Sequence, residues 1–327
     1  MCVEERRQRR GDEGVTETWT LDAPDGVRIY GRTWAPENRG EPRVCVQIAH
    51  GMAEHIERYS DFAQFLASRG CAVYGHDHRG HGQTGEAMGM LGHFGDRDGF
   101  QRVIDDMARV TSRIEAEHSG VPIVLLGHSM GSWLSLAYME QHGARLRGAV
   151  LSGAGFVGRV ELAAGLYLAR REAARLGARS PSERLYKMTF GNFNKPFQPN
   201  RTPLDWLSRD EAVVDAYIAD PRCGQMHTCG FFLDYFGGVR ELQRAENLRR
   251  IPSDLPVLII AGSRDPVGKM GKGVERLAKA LAAAGVRDVT VKLYPGARHE
   301  VLNETNRAEV YQDVWHWLER LLRAWKR

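Results

Sequence analysis

Val121–Gly131 reads Val-Pro-Ile-Val-Leu-Leu-Gly-His-Ser-Met-Gly. A short apolar run rich in branched side chains breaks into Gly127-His128-Ser129-Met130-Gly131, and Ser132–Met139 continues with helical character. Strand, sharp turn and helix around G-x-S-x-G is the context of a nucleophile elbow. Such a turn strains the backbone at the serine. Side chains two residues to either side would meet the adjacent strand and helix, and Gly127 and Gly131 remove them. Ser129 is expected as the nucleophile, at the carboxyl end of a strand and near the positive end of the next helix. The plain alternative is a Gly/Ser turn between two elements; the strand before and the helix after favour the elbow.

Working outward, apolar runs at Val44–Ala49, Cys71–Gly75 and Gly148–Ser152 read as buried strands, Leu255–Ala261 resumes the parallel-strand signature, and Val289–Leu293 reads as a further strand. Helical patterns separate them: Tyr59–Ser68, a long helix to Glu117 with Asp96 as its expected N-cap, and Gly273–Ala284. Val15–Leu21 and Val27–Trp34 read as a hairpin around Ala23-Pro24-Asp25-Gly26. The last helix places Val310, Val314, Trp317, Leu318, Leu321, Leu322 and Trp325 on one face. Strands alternating with helices imply an α/β fold with a mostly parallel, doubly wound sheet. The block 155–251 breaks the alternation. It carries amphipathic helices and aromatic clusters, and is expected as a helical cap inserted into a core of 14–154 and 252–327.

The chain has 327 residues, 43% of them apolar, and a net charge of +4. Lys and Arg are scattered without a basic, aromatic-interleaved stripe, so nucleic acid is not an expected partner. Residues 1–13, with Glu4-Glu5-Arg6-Arg7-Gln8-Arg9-Arg10, read as a solvated, disordered tail; its arginines could touch anionic lipid, but no apolar stretch follows to make a signal peptide or anchor. The five cysteines are odd in number and lack metal spacing, which suits a reduced, cytoplasmic chain. His76-Asp77-His78-Arg79-Gly80-His81 lacks the ligand order of clustered-histidine zinc hydrolases and no H-E-x-x-H helix is present, so no metal is expected. Gly268–Gly273 lacks the Walker spacing and reads as a loop and helix start.

A serine nucleophile needs a base and a group that orients the base. In this architecture they follow in the order Ser, acid, His, each leaving a later strand. Asp265 lies in Gly262-Ser263-Arg264-Asp265-Pro266, just past one strand, and His299 lies in Tyr294–Glu300, just past the next. Taken singly, they read as a turn residue and a loop histidine; together and in order, they complete a triad with Ser129. The oxyanion hole needs two convergent N–H groups. Met130 is one expected donor, and Met52 in His50-Gly51-Met52-Ala53 is the other.

His50-Gly51-Met52-Ala53-Glu54-His55 followed by Arg58-Tyr59 resembles the H-G-x-x-E-H-x-x-R-Y segment of monoacylglycerol lipases and bacterial lysophospholipase-like hydrolases. Asp77-x-Arg79-Gly80-His81-Gly82, Gly127–Gly131 and Gly262-Ser263-x-Asp265 are similar too. The resemblance runs from about residue 15 to the end of the chain, loosely in the cap. It implies the α/β-hydrolase fold, the triad Ser129, Asp265 and His299, oxyanion amides at Met52 and Met130, and Glu54 and Arg58 as polar supports near that loop, which are also counted as substrate-binding residues. Departures are Ser132, where a second glycine is frequent, Thr84, where a serine often follows R-G-H-G, and the bacterial-type Glu300–Glu304 after the histidine.

The expected function is a serine hydrolase of carboxylic esters, with monoacyl lipid as the expected substrate and no cofactor. A short-chain carboxylesterase or arylesterase, and a non-catalytic ligand-binding protein on the same fold, are the competing expectations. Peripheral contact with a membrane through the cap is left open, as is the oligomeric state.

Overall fold

Alternating side chains in the central strands define two packed faces of one sheet. In the computed structural model, which describes residues 16–36 and 40–325 and the backbone of 6–8, the strands are β1 (Arg6–Gln8), β2 (Thr16–Asp22), β3 (Arg28–Trp34), β4 (Val44–Ala49), β5 (Cys71–His76), β6 (Ile123–His128), β7 (Gly148–Ser152), β8 (Val257–Gly262) and β9 (Val289–Tyr294). Among the described residues they form a nine-stranded sheet in the order β1-β2-β3-β5-β4-β6-β7-β8-β9. The first three pair antiparallel, as does β3 with β5; every pair from β5 to β9 is parallel. Ile123, Leu125, Val257 and Ile259 enter one buried cluster, and Val124, Leu126, Leu258 and Ile260 enter the other. Helices cover both faces, as continuous apolar strands require.

The register aligns the strand ends. Ala49 pairs with Gly127, His128 with Ser152, Ser152 with Ile260, and Gly262 with Tyr294. The loops after β4, β6, β8 and β9 therefore leave one edge of the sheet side by side, where ligands of open α/β sheets bind.

Between β7 and β8 the chain forms helices at Arg159–Leu176, Glu183–Phe190, Glu211–Ala219, Cys229–Leu242 and Ala245–Leu248. Helix Cys229–Leu242 packs against Arg159–Leu176, Met130–His142 and Gly99–Glu117. Its Phe231 and Phe232 are fully buried and belong to the same cluster as the strands. The helical block thus shares its core with the sheet.

Two local expectations are corrected. The tail expected over 1–13 falls largely outside the described residues, but Arg6–Gln8 pairs with Thr16–Thr18, using the open backbone groups of an edge strand. Asp96 does not cap the long helix, which runs Gly99–Glu117; its carboxylate is bound to Arg179 and lies 3.3 Å from His93 Nε2. The Gly99 N–H donates instead to Asp234 Oδ2 at 3.1 Å, from a residue far along the chain. Among the described residues no helix is long and apolar enough to cross a membrane.

Candidate active site

Ser129 joins β6 to helix Met130–His142 with φ +50° and ψ −119°. A non-glycine residue there stores about 1–3 kcal/mol and persists only where its surroundings dictate it. Its N–H donates to the Ser152 carbonyl at 2.8 Å, tying the turn to β7. A Cβ on Gly127 would stand 2.3 Å from the Gly131 carbonyl oxygen, and one on Gly131 would stand 2.0 Å from that of Ala49. The sequence argument for glycine at both places is thus met by backbone atoms that cannot move aside. Ser132 takes the place of a frequent family glycine. Its hydroxyl lies 2.8 Å from the carbonyl oxygens of both Gly127 and Ser152, where one proton serves either.

His299 and Asp265 meet as the strand order dictates. His299 Nδ1 lies 3.0 Å from Asp265 Oδ1, with both side chains buried. The Val267 N–H donates to Asp265 Oδ1 at 2.8 Å and fixes the carboxylate. The carboxylate accepts the Nδ1 proton, leaving Nε2 as the basic nitrogen. Burial works against the imidazolium, but the charge and hydrogen bond of Asp265 outweigh it, and the His299 pKa is raised above 6.5. The ring centroid lies 4.8 Å from that of His128, the residue before Ser129. On another side it packs on Trp206 of the cap at 5.1 Å, and cap carbonyls of Trp206 and Leu207 accept the N–H groups of His299 and Glu300. Sequence reasoning gave Trp206 no partner; only folding reveals it.

Met130 opens its helix, where N–H groups lack intrahelical carbonyls. Met52 follows the β4 end on the neighbouring loop. That loop is held by a buried charge network. Glu54 accepts the Gly51 N–H at 2.5 Å and the Tyr59 hydroxyl at 2.6 Å through Oε1, and binds Arg58 through Oε2. Arg58 also grips Glu300 with two hydrogen bonds of 2.7 Å, and lies 4.8 Å from the Tyr217 ring of the cap. Burial opposes the Arg58 charge, yet Glu300 and Glu54 hold its pKa well above the ordinary value. The same guanidinium keeps Glu300 ionised against its burial. The sequence leads one to expect Glu54 and Arg58 as polar supports of this loop and as substrate-binding groups; in the structure Glu54 engages Gly51, Tyr59 and Arg58, and Arg58 engages Glu54 and Glu300. Glu300 is the partner that sequence reasoning missed.

The remaining motif residues divide into supports and packing. Asp77 accepts the N–H groups of Ile56 at 2.9 Å and Gln83 at 2.7 Å. Arg79 pairs with Asp25 and Asp106. The aromatic residues of the cap separate into two groups. Phe190, Phe193 and Phe197 pack around Trp206 next to His299, whereas Phe232, Tyr235 and Phe236 lie in the main core.

A family model described as serine aminopeptidase, S33 (Hydrolase_4) matches residues 40–306. A monoacylglycerol lipase of Mycolicibacterium smegmatis is 32% identical over 299 residues, 90% of this chain and 93% of the relative. The human monoglyceride lipase is 29% identical, over 89% of this chain and 86% of that one. Among solved structures, a thermostable carboxyl esterase from Bacillus coagulans in complex with glycerol superposes with a TM-score of 0.86 at 27% identity, covering 94% of this chain and 99% of the esterase. With the elbow, the strand order and these relatives in hand, the chain is a serine ester hydrolase of the α/β-hydrolase fold and belongs to the Hydrolase_4 family.

Proposed function

We propose that Ser129, His299 and Asp265 are the catalytic triad and that the enzyme cleaves monoacyl lipid esters. The observation that carries the triad is the buried Asp265–His299 hydrogen bond on the two loops beside the strained Ser129 turn. Ser129 Oγ attacks the ester carbonyl, and His299 Nε2 takes its proton. The N–H groups of Met130 and Met52 hold the oxyanion, where aligned donors act in a site shielded from water. His299 returns the proton to the leaving alcohol, and water, activated by the same ring, releases the acid. Asp265 fixes the tautomer and stabilises the imidazolium.

The base must be neutral to act. The acid limb of kcat/KM is therefore expected at an apparent pKa above 6.5. The stability contributed by a protonated His299 is present below its unfolded pKa and lost as pH rises through the folded one. Asp265→Ala removes the charge that raises it, and moves the limb to lower pH. A wild-type limb well below 6.5 would contradict the assignment.

The substrate reading is supported by the H-G-x-x-E-H-x-x-R-Y loop, by relatives named monoacylglycerol lipase, and by the aromatic cap cluster against His299. Each buried methylene contributes about 0.8 kcal/mol. Lengthening the acyl chain is expected to raise kcat/KM about fourfold per methylene until the acyl site is filled. Glycerol monoesters from C4 to C16, assayed below their micelle concentrations, test this. A steady fall beyond C4 would leave a short-chain esterase. Aminoacyl anilides in the same assay address the peptidase chemistry in the family's description; preference for them would overturn the ester reading.

A further inference from the structure

A second constellation lies where the cap meets the loop that carries Met52. His55 Nε2 is 2.8 Å from Asp220 Oδ2, and one ligand atom from each of His55, Asp220 and Cys223 lies within 4.8 Å of the others. Asp220 and Cys223 belong to one tight turn after helix Glu211–Ala219. The Cys223 N–H donates to the Asp220 carbonyl at 3.0 Å, and the Arg222 N–H donates to Asp220 Oδ1 at 2.8 Å. Oδ2 is thereby left to face His55. The turn is fastened to the loop itself: the Gly224 N–H and the Tyr217 hydroxyl donate to the Ala53 carbonyl at 2.9 and 2.7 Å. Ala53 holds φ +59°, an uncommon value for a residue with a Cβ.

We propose that His55, Asp220 and Cys223 form a binding site for a borderline-soft divalent cation of the Zn²⁺ type, clamping the cap to the oxyanion loop. Imidazole, carboxylate and thiolate are the donor set such ions take, at about 2.0–2.3 Å from each. Tetrahedral placement sets the donors about 3.3–3.7 Å apart. From the present 2.8 Å, His55 Nε2 and Asp220 Oδ2 part slightly to reach that spacing. His55 Nδ1 lies 4.0 Å from Glu57 Oε2, a carboxylate whose charge favours a proton on Nδ1. The surrounding charge suits a cation. Arg222 is shared by Glu57 and Glu86, Glu57 also holds Arg32, and Arg58 is shared by Glu54 and Glu300, so carboxylates still outnumber guanidiniums. On binding, the His55 proton passes from Nε2 to Nδ1, the metal takes the freed Nε2 lone pair, and the Cys223 thiol releases one proton to solvent as the metal–sulfur bond forms. Sequence spacing could not show the site, because His55 and Asp220 are 165 positions apart.

The full chain, freed of metal with a chelator, is titrated with CoCl₂ and then ZnCl₂. One Co²⁺ per chain is expected, with a thiolate-to-cobalt charge-transfer band that Zn²⁺ abolishes by displacement. Cys223→Ser removes the band, and both Cys223→Ser and Asp220→Asn weaken Zn²⁺ binding by more than about tenfold. Zn²⁺ raises the Tm of the wild type and not of either variant. A band that is absent, or that survives Cys223→Ser, overturns the proposal. So does equal Zn²⁺ affinity in wild type and in an Asp220→Asn chain that melts normally. Ester hydrolysis by the metal-free chain is a separate readout of Ser129, so failure of one reading leaves the other standing.

Discussion

Ser129→Ala and His299→Ala are each expected to lower kcat by about 10⁴-fold or more while leaving the fold intact. The loss is large because the two groups act as one unit. Without the Ser129 hydroxyl no acyl-enzyme forms, and without the His299 ring the hydroxyl keeps its proton. Neither substitution removes much packing: the Ser129 side chain is only partly buried, and its turn is held by the Gly127 and Gly131 contacts and by the Ser152 carbonyl. Removing the serine hydroxyl leaves that backbone unchanged, so the melting temperature should move little for Ser129→Ala. His299→Ala also empties the space against Trp206 and His128 and should cost more stability. A serine-directed phosphonate should label the wild type and not Ser129→Ala. The double variant should be no slower than either single one, since both steps fail together. Near-normal turnover by folded His299→Ala would remove the triad. Labelling that persists in Ser129→Ala would place the nucleophile elsewhere.

The parts legible in the sequence are those set by local sterics. The elbow is written in Gly127 and Gly131 because backbone atoms fill the space their side chains would need. Strands β4 to β8 are legible because a strand buried on both faces must be continuously apolar. Asp265 and His299 are legible from position alone, since each follows its strand directly and the strand ends are in register. Partners fixed by tertiary approach were not legible. Arg58 and Glu300 are 242 positions apart, and Asp234 reaches the long helix from 135 positions away. A sequence pattern marks Glu54 and Arg58 as unusual polar residues next to a strand end. It cannot tell a group that touches substrate from one that holds the loop, because both need the same residue types at the same place. The hydrogen bonds add that Glu54 and Arg58 hold the loop. Likewise, the aromatic residues of the cap are plain in the sequence, but their division between the core and the wall beside His299 depends on how the helices pack.

Arg58→Met is expected to destabilise the protein by about 3–5 kcal/mol, since it leaves Glu54 and Glu300 buried with no cation between them. The penalty has a pH signature. In the wild type, Glu300 is held ionised below its ordinary pKa, so its contribution is present above the unfolded value and is lost as pH falls through the folded one. Without Arg58, desolvation dominates at Glu300 and its buried carboxyl takes up a proton more readily. The variant should therefore recover part of its deficit on mild acidification, where the wild type begins to lose this contribution. Adding Glu300→Gln to Arg58→Met should also recover part of it, and the double-mutant cycle should give a coupling well above the experimental error. Activity should fall as well. Arg58 joins Glu54, which anchors the Gly51 N–H next to Met52, to Glu300, the neighbour of His299. Loosening it lets the proposed oxyanion donor and the proposed base drift relative to Ser129, and a misplacement of about 1 Å costs about 10²-fold. The loss should appear in kcat more than in KM, as expected for groups that position the machinery without holding substrate. Urea unfolding at several pH values, with kcat and KM on one soluble ester, measures both effects. Stability within 1 kcal/mol of wild type, or a change confined to KM, would return Arg58 to the substrate-binding role first read from the sequence.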